Sequence, residues 1–249
     1  MNDFKNKNNQ MKEFKHNNIN ITCPQSWYEA ILEVYILDVY RTDLINENDL
    51  VFDLGAGIGD FAVLASKKVG KNGKVVAIEP DAENYQLLQF NIHKNQCQNV
   101  IPLNLGIAGV PGTRDLVTQS GSSTGCRFQV DTLENIVANL KIKDKINFIK
   151  MDIEGFEAEV ISKSIATIKE ASVISLECHN TKHSIDKILP HYGFSFNPIT
   201  MGYIFKKAIR GLILYRTNYF KAYALKPQII YKAMKGFEIT KNNELLVGS

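Results

Sequence analysis

The chain has 249 residues, 45% of them apolar and 22% charged, which suits one large globular body with a sizeable core and excludes a mainly disordered polymer. Four cysteines (Cys23, Cys97, Cys126, Cys178) stand far apart with no C-x-x-C pair, which excludes a zinc-ribbon framework and a dense disulfide scaffold. The net charge of +3 is divided: from Lys206 onward nine basic residues face only Glu238 and Glu244, so that end carries +7 and residues 1–205 carry −4.

Residues 1–18 are polar and aperiodic, and a flexible leader is expected over 1–25. They lack the apolar core of a signal peptide, and no apolar run in the chain approaches the ~18 residues of a membrane span. A cytoplasmic location is therefore expected. Residues 26–40 (SWYEAILEVYILDVY) space their apolar side chains for a helix laid over the body, opening a domain that runs to 219.

From residue 49 short apolar runs alternate with amphipathic stretches. Strands are expected at 50–54, 74–78, 100–105, 146–151 and 172–177, and helices at 60–69, 82–94, 132–140 and 157–164. Strands rich in Val and Ile and spaced by helices make crossover units, hence a parallel sheet covered on both faces. Gly109, Pro111, Gly112 and the run SGSSTG interrupt this between 106 and 130, where a strand pair or a mobile loop is expected. FSFNPI (194–199) and LILYRTNY (212–219) are expected as the last two, antiparallel strands, leaving 220–249 as a basic, aromatic extension. The expected fold class is α/β: a mostly parallel seven-stranded sheet, helices on both faces, and an antiparallel last strand.

The strongest local signal is VFDLGAGIGD (51–60). Glycines closing a parallel strand let the backbone turn sharply and approach a ligand closely. A dinucleotide fingerprint would be G-x-G-x-x-G, but position 60 is Asp60, and an acid at a helix N-terminus is a poor neighbour for pyrophosphate. With Asp53 ahead of the glycines, the turn favours a zwitterionic, sulfonium-bearing cofactor. The next strand ends in Glu79, placed to accept hydrogen bonds from both ribose hydroxyls of an adenosine. Pro80 follows, and Asn104 closes the third strand, where an amide suits either an adenine edge or an ordinary turn.

The run INFIKMDIEGFEAEVI (146–161) ends an apolar strand in Lys150, Asp152 and Glu154, with Glu157 placed as a helix-capping acid. SVISLECHN brings Glu177 and His179 to the same edge, two residues apart and so on one face. His179 and His183 spell H-x-x-x-H, but without a HEXXH-type acid between them no metal pair is expected. Cys178 points the other way, as a small buried hydrophobe.

VFDLGAGIGD, IEPD (78–81), VDTLENI (130–136) and KMDIEGFE (150–157) together resemble the FkbM-type methyltransferases, a branch of the class I S-adenosylmethionine-dependent enzymes. The resemblance covers about 35–200 and implies a Rossmann-like class I methyltransferase fold. It implies that Asp53, Gly55, Gly57 and Gly59 hold the methionine part of S-adenosyl-L-methionine, Glu79 the ribose and Asn104 the adenine region. Ala56 and Pro80 complete that set. It also implies O-methylation of hydroxyls on sugars, glycans or related small molecules.

The catalytic candidates are Asp152, nearest the methyl donor, with Glu154 or His179 as base and Glu177 beside them. A divalent cation held by Asp152 with Glu177 or His179 is a disfavoured alternative, and no metal ligands are assigned. No N-P-P-[YF] follows the fourth strand, which disfavours a nucleic-acid partner. The basic tail is compatible with a solvated face, with peripheral contact at an anionic membrane or lipid-linked substrate, or with RNA, in that order. Two competing functions stay open: a dinucleotide-dependent oxidoreductase, and a non-catalytic cofactor-binding module recruited by the tail.

Overall fold

The computed structural model describes residues 11–117, 123–200, 202–207 and 236–241. In chain order β1 (Met11–His16) and β2 (Ile19–Pro24) are followed by α1 (Tyr28–Leu32), β3 (Leu50–Leu54), α2 (Asp60–Val69), β4 (Lys74–Ile78), α3 (Ala82–Lys94) and β5 (Val100–Leu103). Then come β6 (Gly106–Ile107), β7 (Gly112–Val117), β8 (Ser123–Asp131), α4 (Leu133–Asn139), β9 (Phe148–Met151), α5 (Glu157–Lys163), α6 (Ile165–Ile168), β10 (Val173–Glu177), α7 (Lys182–Ile188), β11 (Phe194–Pro198) and β12 (Gly236–Lys241).

The main sheet has the order β11-β12-β10-β9-β3-β4-β5. β10, β9, β3, β4 and β5 pair in parallel, the Rossmann-like part expected from the Val/Ile runs. Every residue of β3 is buried, because helices cover both faces. One apolar layer joins α2 and α3 to the N-terminal segment, and the other joins α4, α5 and α6 to the opposite face. The interruption at 106–130 is a three-stranded sheet of order β6-β8-β7.

Three expectations are corrected. Residues 11–24 are not a loose leader: β1 and β2 pair antiparallel, and Phe14, Ile21 and Cys23 are buried in the core. Asn91 of α3 and Asn95, which caps its carboxyl end, act as surrogate strand partners. The Asn91 carboxamide accepts from Thr22 N (2.8 Å) and donates to Thr22 O (3.0 Å), and Asn95 does the same for Asn20 (2.8 and 2.9 Å). Second, of the two strands expected as antiparallel only the last is reversed, as the expected fold class has it: β12 runs antiparallel to both β10 and β11, and β11 is co-directional with the five. Third, that strand comes from 236–241, inside the expected extension, while the expected strand at 212–219 lies outside the described residues.

The cover expected at 26–40 is a broken helix. A 3-10 turn (Gln25–Trp27), α1 and a π-helical turn (Glu33–Leu37) end at Asp38, which takes a left-handed φ of 51°. Among the described residues no helix is long and apolar enough to cross a membrane.

Candidate active site

The carboxyl ends of β3, β4, β9 and β10 converge on a cavity of about 350 Å³, at the edge where open α/β sheets bind ligands. Gly55, Ala56, Gly57, Glu79 and Pro80 line one side, and Asp152, Glu154 and Glu177 line the other. Asp53 lies beneath this floor. Gly59 is not among the lining residues, and a Cβ there would meet Leu88 Cδ1 at 2.6 Å.

Gly55 and Gly57 are likewise required by close approach. Gly55 has φ 79°, and a Cβ on it would sit 1.9 Å from the Asp152 carbonyl oxygen; Gly57 has φ 53°, with Trp27 Cη2 2.6 Å from its would-be Cβ. Backbone N–H groups of Gly55 and Ala56 donate to Ile78 O at 3.0 and 2.9 Å, which ties the turn to β4. Asp60 opens α2 and lines the cavity, and burial pushes its carboxyl up to about 6.

Glu79 is buried, with its oxygens held by Gly57 N–H (2.7 Å) and Asp81 N–H (2.9 Å). Burial pushes its carboxyl up to about 7, against those two donors. Asn104 is exposed and braces this strand end, donating to the carbonyls of Glu79 (2.9 Å) and Pro80 (3.2 Å).

Beneath the turn Lys150 and Asp53 are directly paired in the β9–β3 register. Lys150 Nζ stands 3.3 Å from Asp53 Oδ1, donates to Gly55 O at 2.5 Å, and lies 3.9 Å from Asp152 Oδ2. Burial opposes the ammonium charge, but Asp53, Asp152 and Asp60 outweigh it and hold the lysine above its ordinary value. For Asp53 burial wins, and its carboxyl is raised despite Lys150.

At the other wall the acids gather round His179. Its Nε2 lies 3.6 Å from Glu154 Oε2, 3.7 Å from Glu177 Oε1 and 3.9 Å from Asp152 Oδ1. Its Nδ1 pairs at 3.0 Å with Glu157 Oε1, so Glu157 does more than cap α5. Glu157 is fully buried and also accepts from Gly155 N–H (2.9 Å) and the Thr181 hydroxyl (2.8 Å). Burial disfavours that carboxylate, but His179 and the other donors hold it below its ordinary value. In return the Glu157 bond, helped by the Asp152 and Glu154 charges and opposed by burial, pushes His179 up to about 9. His179 therefore carries its proton at neutral pH and supplies the counter-charge to Glu157 and to the three carboxylates about its Nε2. Asp152, Glu154 and His179 each bring one ligand atom within 4.8 Å of the others, so a divalent cation would compete with that proton. His183 is exposed on α7 and takes no part in this group. Cys178 packs against the core, and burial with the Glu157 and Asp186 charges pushes its thiol up to about 12.

Trp27, Glu33 and Tyr40 also line the cavity; nothing in the local sequence marks Trp27 and Tyr40 apart from an apolar helix face, whereas Glu33 is an acid within an apolar run. Lys150 carries a like signal: it is the one charged residue of β9, as Asp53 is of β3.

The Methyltransferase FkbM domain family matches residues 53–196. A hexuronic acid methyltransferase of Haloferax volcanii is 26% identical over 142 residues, 53% of this chain and 57% of that protein. An uncharacterised protein of Methanocaldococcus jannaschii is 33% identical over 150 residues, 58% of this chain and 54% of that protein. The chain thus spans little more than half the length of these curated relatives. Among solved structures, an S-adenosylmethionine-dependent O-methyltransferase of Thermotoga maritima aligns with 68% of this chain and 52% of that one, at 17% identity and a TM-score of 0.44. A family match over more than half of the sequence, spanning the glycine turn, the β4 acid and the β9 acids, shows that the chain belongs to the FkbM methyltransferase domain family.

Proposed function

We propose that the chain transfers a methyl group from S-adenosyl-L-methionine to a hydroxyl of a sugar, glycan or related small molecule. The observation that carries this is Glu79: a buried carboxylate on the cavity wall, locked by Gly57 N–H and Asp81 N–H beside the glycine turn. Such a fixed acceptor suits the two ribose hydroxyls of an adenosyl group. Asp60 at the head of α2 opposes a pyrophosphate there and so opposes a nicotinamide dinucleotide. The sugar acceptor draws support from the Haloferax relative, whose name gives a hexuronic acid as its acceptor.

In the reaction the acceptor oxygen attacks the methyl carbon in line. The new O–CH3 bond forms as the CH3–S bond breaks, and the electron pair returns to sulfur, leaving S-adenosylhomocysteine. Holding donor and acceptor in line supplies much of the rate. Asp152 and Glu177 would face the sulfonium of a bound donor, and Glu154 would take the hydroxyl proton. Of the two base candidates, His179 already holds a proton, so its part is to hold the three carboxylates in place. The retained acids at 152, 154 and 177 oppose a non-catalytic module. A labelled methyl-transfer assay with neutral sugars, uronic acids and lipid-linked glycans tests this. Label incorporated into a base-stable ether supports the reading; transfer to nucleic acid and to none of these acceptors overturns it.

A further inference from the structure

Part of the cavity wall comes from outside the 53–196 family segment, and Tyr40 is the residue there that reaches the acids. It is buried yet lines the cavity. Its hydroxyl donates to Asp152 Oδ2 at 2.9 Å and lies 3.4 Å from Glu177 Oε2, so one neutral donor sits between two carboxylates that would otherwise repel. Its ring is fixed: Phe61 meets it edge-on at 5.8 Å and Lys150 Nζ stands 5.2 Å from its centre. Burial, then the Asp152 and Glu177 charges, raise the phenol well above its ordinary value and keep it a donor.

The backbone around Tyr40 is held as firmly. Asp38 and Arg41, on either side, take left-handed φ of 51° and 53°, conformations that persist only where surroundings impose them. Those surroundings are Thr42, whose N–H and hydroxyl both donate to Asp38 Oδ1 at 2.7 Å, and the helical residues 202–207, beyond the other end of the family segment. Tyr203 Oη donates to Asp38 Oδ2 at 3.0 Å, and Lys207 Nζ donates to the same oxygen at 2.5 Å. Arg41 and Lys207 flank the Tyr203 ring at 5.0 and 5.1 Å. Both flanks of the family segment thus converge on the position of one hydroxyl.

We propose that Tyr40 is a positioning residue that aims the Asp152 and Glu177 carboxylates at the sulfonium of the methyl donor. This rests on the methyl-transfer reading above. S-adenosylmethionine and S-adenosylhomocysteine differ at sulfur by the methyl group and one positive charge, so oriented carboxylates discriminate between them, whereas general damage to the pocket weakens both alike.

The test is calorimetric titration of the full chain with each ligand. Tyr40→Phe keeps the ring and loses the donor; it is expected to weaken S-adenosylmethionine about tenfold and to leave S-adenosylhomocysteine within about twofold, the scale of one hydrogen bond to a charged group. Asp152→Asn is expected to lose the same preference, and adding Tyr40→Phe to it should change the ratio less than about twofold. Equal weakening of both ligands, or no change, overturns the inference. So does an Asp152→Asn protein that keeps the parent's preference, whether or not Tyr40→Phe folds. A parent chain that binds neither ligand refutes the methyl-transfer reading itself.

Discussion

Replacing Glu79 by glutamine removes a titration that the fold disfavours. The carboxyl has an ordinary value of 4.5 and is raised to about 7 in the folded chain, chiefly by burial. A raised acid binds more protons folded than unfolded, so its contribution to stability is intact below pH 4.5 and is lost as pH rises to 7. Between pH 5 and pH 8 this one group costs roughly 2–3 kcal/mol. Glutamine cannot ionise, but its amide meets one of the two N–H donors and so costs about 1–3 kcal/mol at every pH. Urea denaturation of the ligand-free parent and of Glu79→Gln across pH 5–8 separates the two effects. The variant should be the less stable protein at pH 5, and the gap should close by roughly 2–3 kcal/mol at pH 8. Asp60, raised to about 6 by burial, tilts both profiles alike and cancels in the difference. Parallel profiles would refute the burial of a charge-disfavoured carboxyl at this wall.

Other expectations follow from the same geometry. Lys150→Met leaves Asp53 buried without its counter-charge and should destabilise the fold by about 3–5 kcal/mol, read by denaturant midpoint. Adding Asp53→Asn should recover part of that loss. Glu157→Gln removes the bond that heads the causes of the high His179 value, so an NMR titration should show His179 falling from about 9 toward its ordinary 6.5. An unmoved midpoint would mean that the surrounding acids alone hold the proton. Truncation at residue 220 should unfold or weaken the sheet, because it deletes β12 from between β10 and β11. The basic tail is better tested by Lys221→Gln, Lys226→Gln and Lys232→Gln together, read as loss of binding to anionic liposomes; unchanged binding would remove the membrane expectation.

The parallel strands were legible because burial on both faces leaves a continuous apolar run: β3 and β4 fall at the expected residues. The glycine turn and its acids were legible as local motifs. What lay beyond reach depends on long-range pairing. β2 alternates buried Ile19, Ile21 and Cys23 with polar residues, a readable strand pattern, but its partners include the carboxamides of Asn91 and Asn95, some 70 residues away. The pairing of 236–241 with β10 is likewise long-range, joining segments some 60 residues apart in sequence. Lys150 acquires meaning only from the register that sets it opposite Asp53, and Tyr40 only from the turn clamped by Tyr203 and Lys207. His179 is legible from its spacing to Glu177, whereas its bond to the buried Glu157 depends on how α5 meets the end of β10, which no local pattern shows.

The central claim is that the cavity over the Gly55–Gly57 turn holds an adenosyl sulfonium. It is tested most directly by calorimetric titration of the full chain with S-adenosylmethionine and, separately, with NADH. Binding of one S-adenosylmethionine per chain, weakened at least about tenfold by Glu79→Ala and with no heat from NADH, is the expected result. Saturable NADH binding with none of S-adenosylmethionine, or equal S-adenosylmethionine affinity in the Glu79→Ala variant, would contradict it.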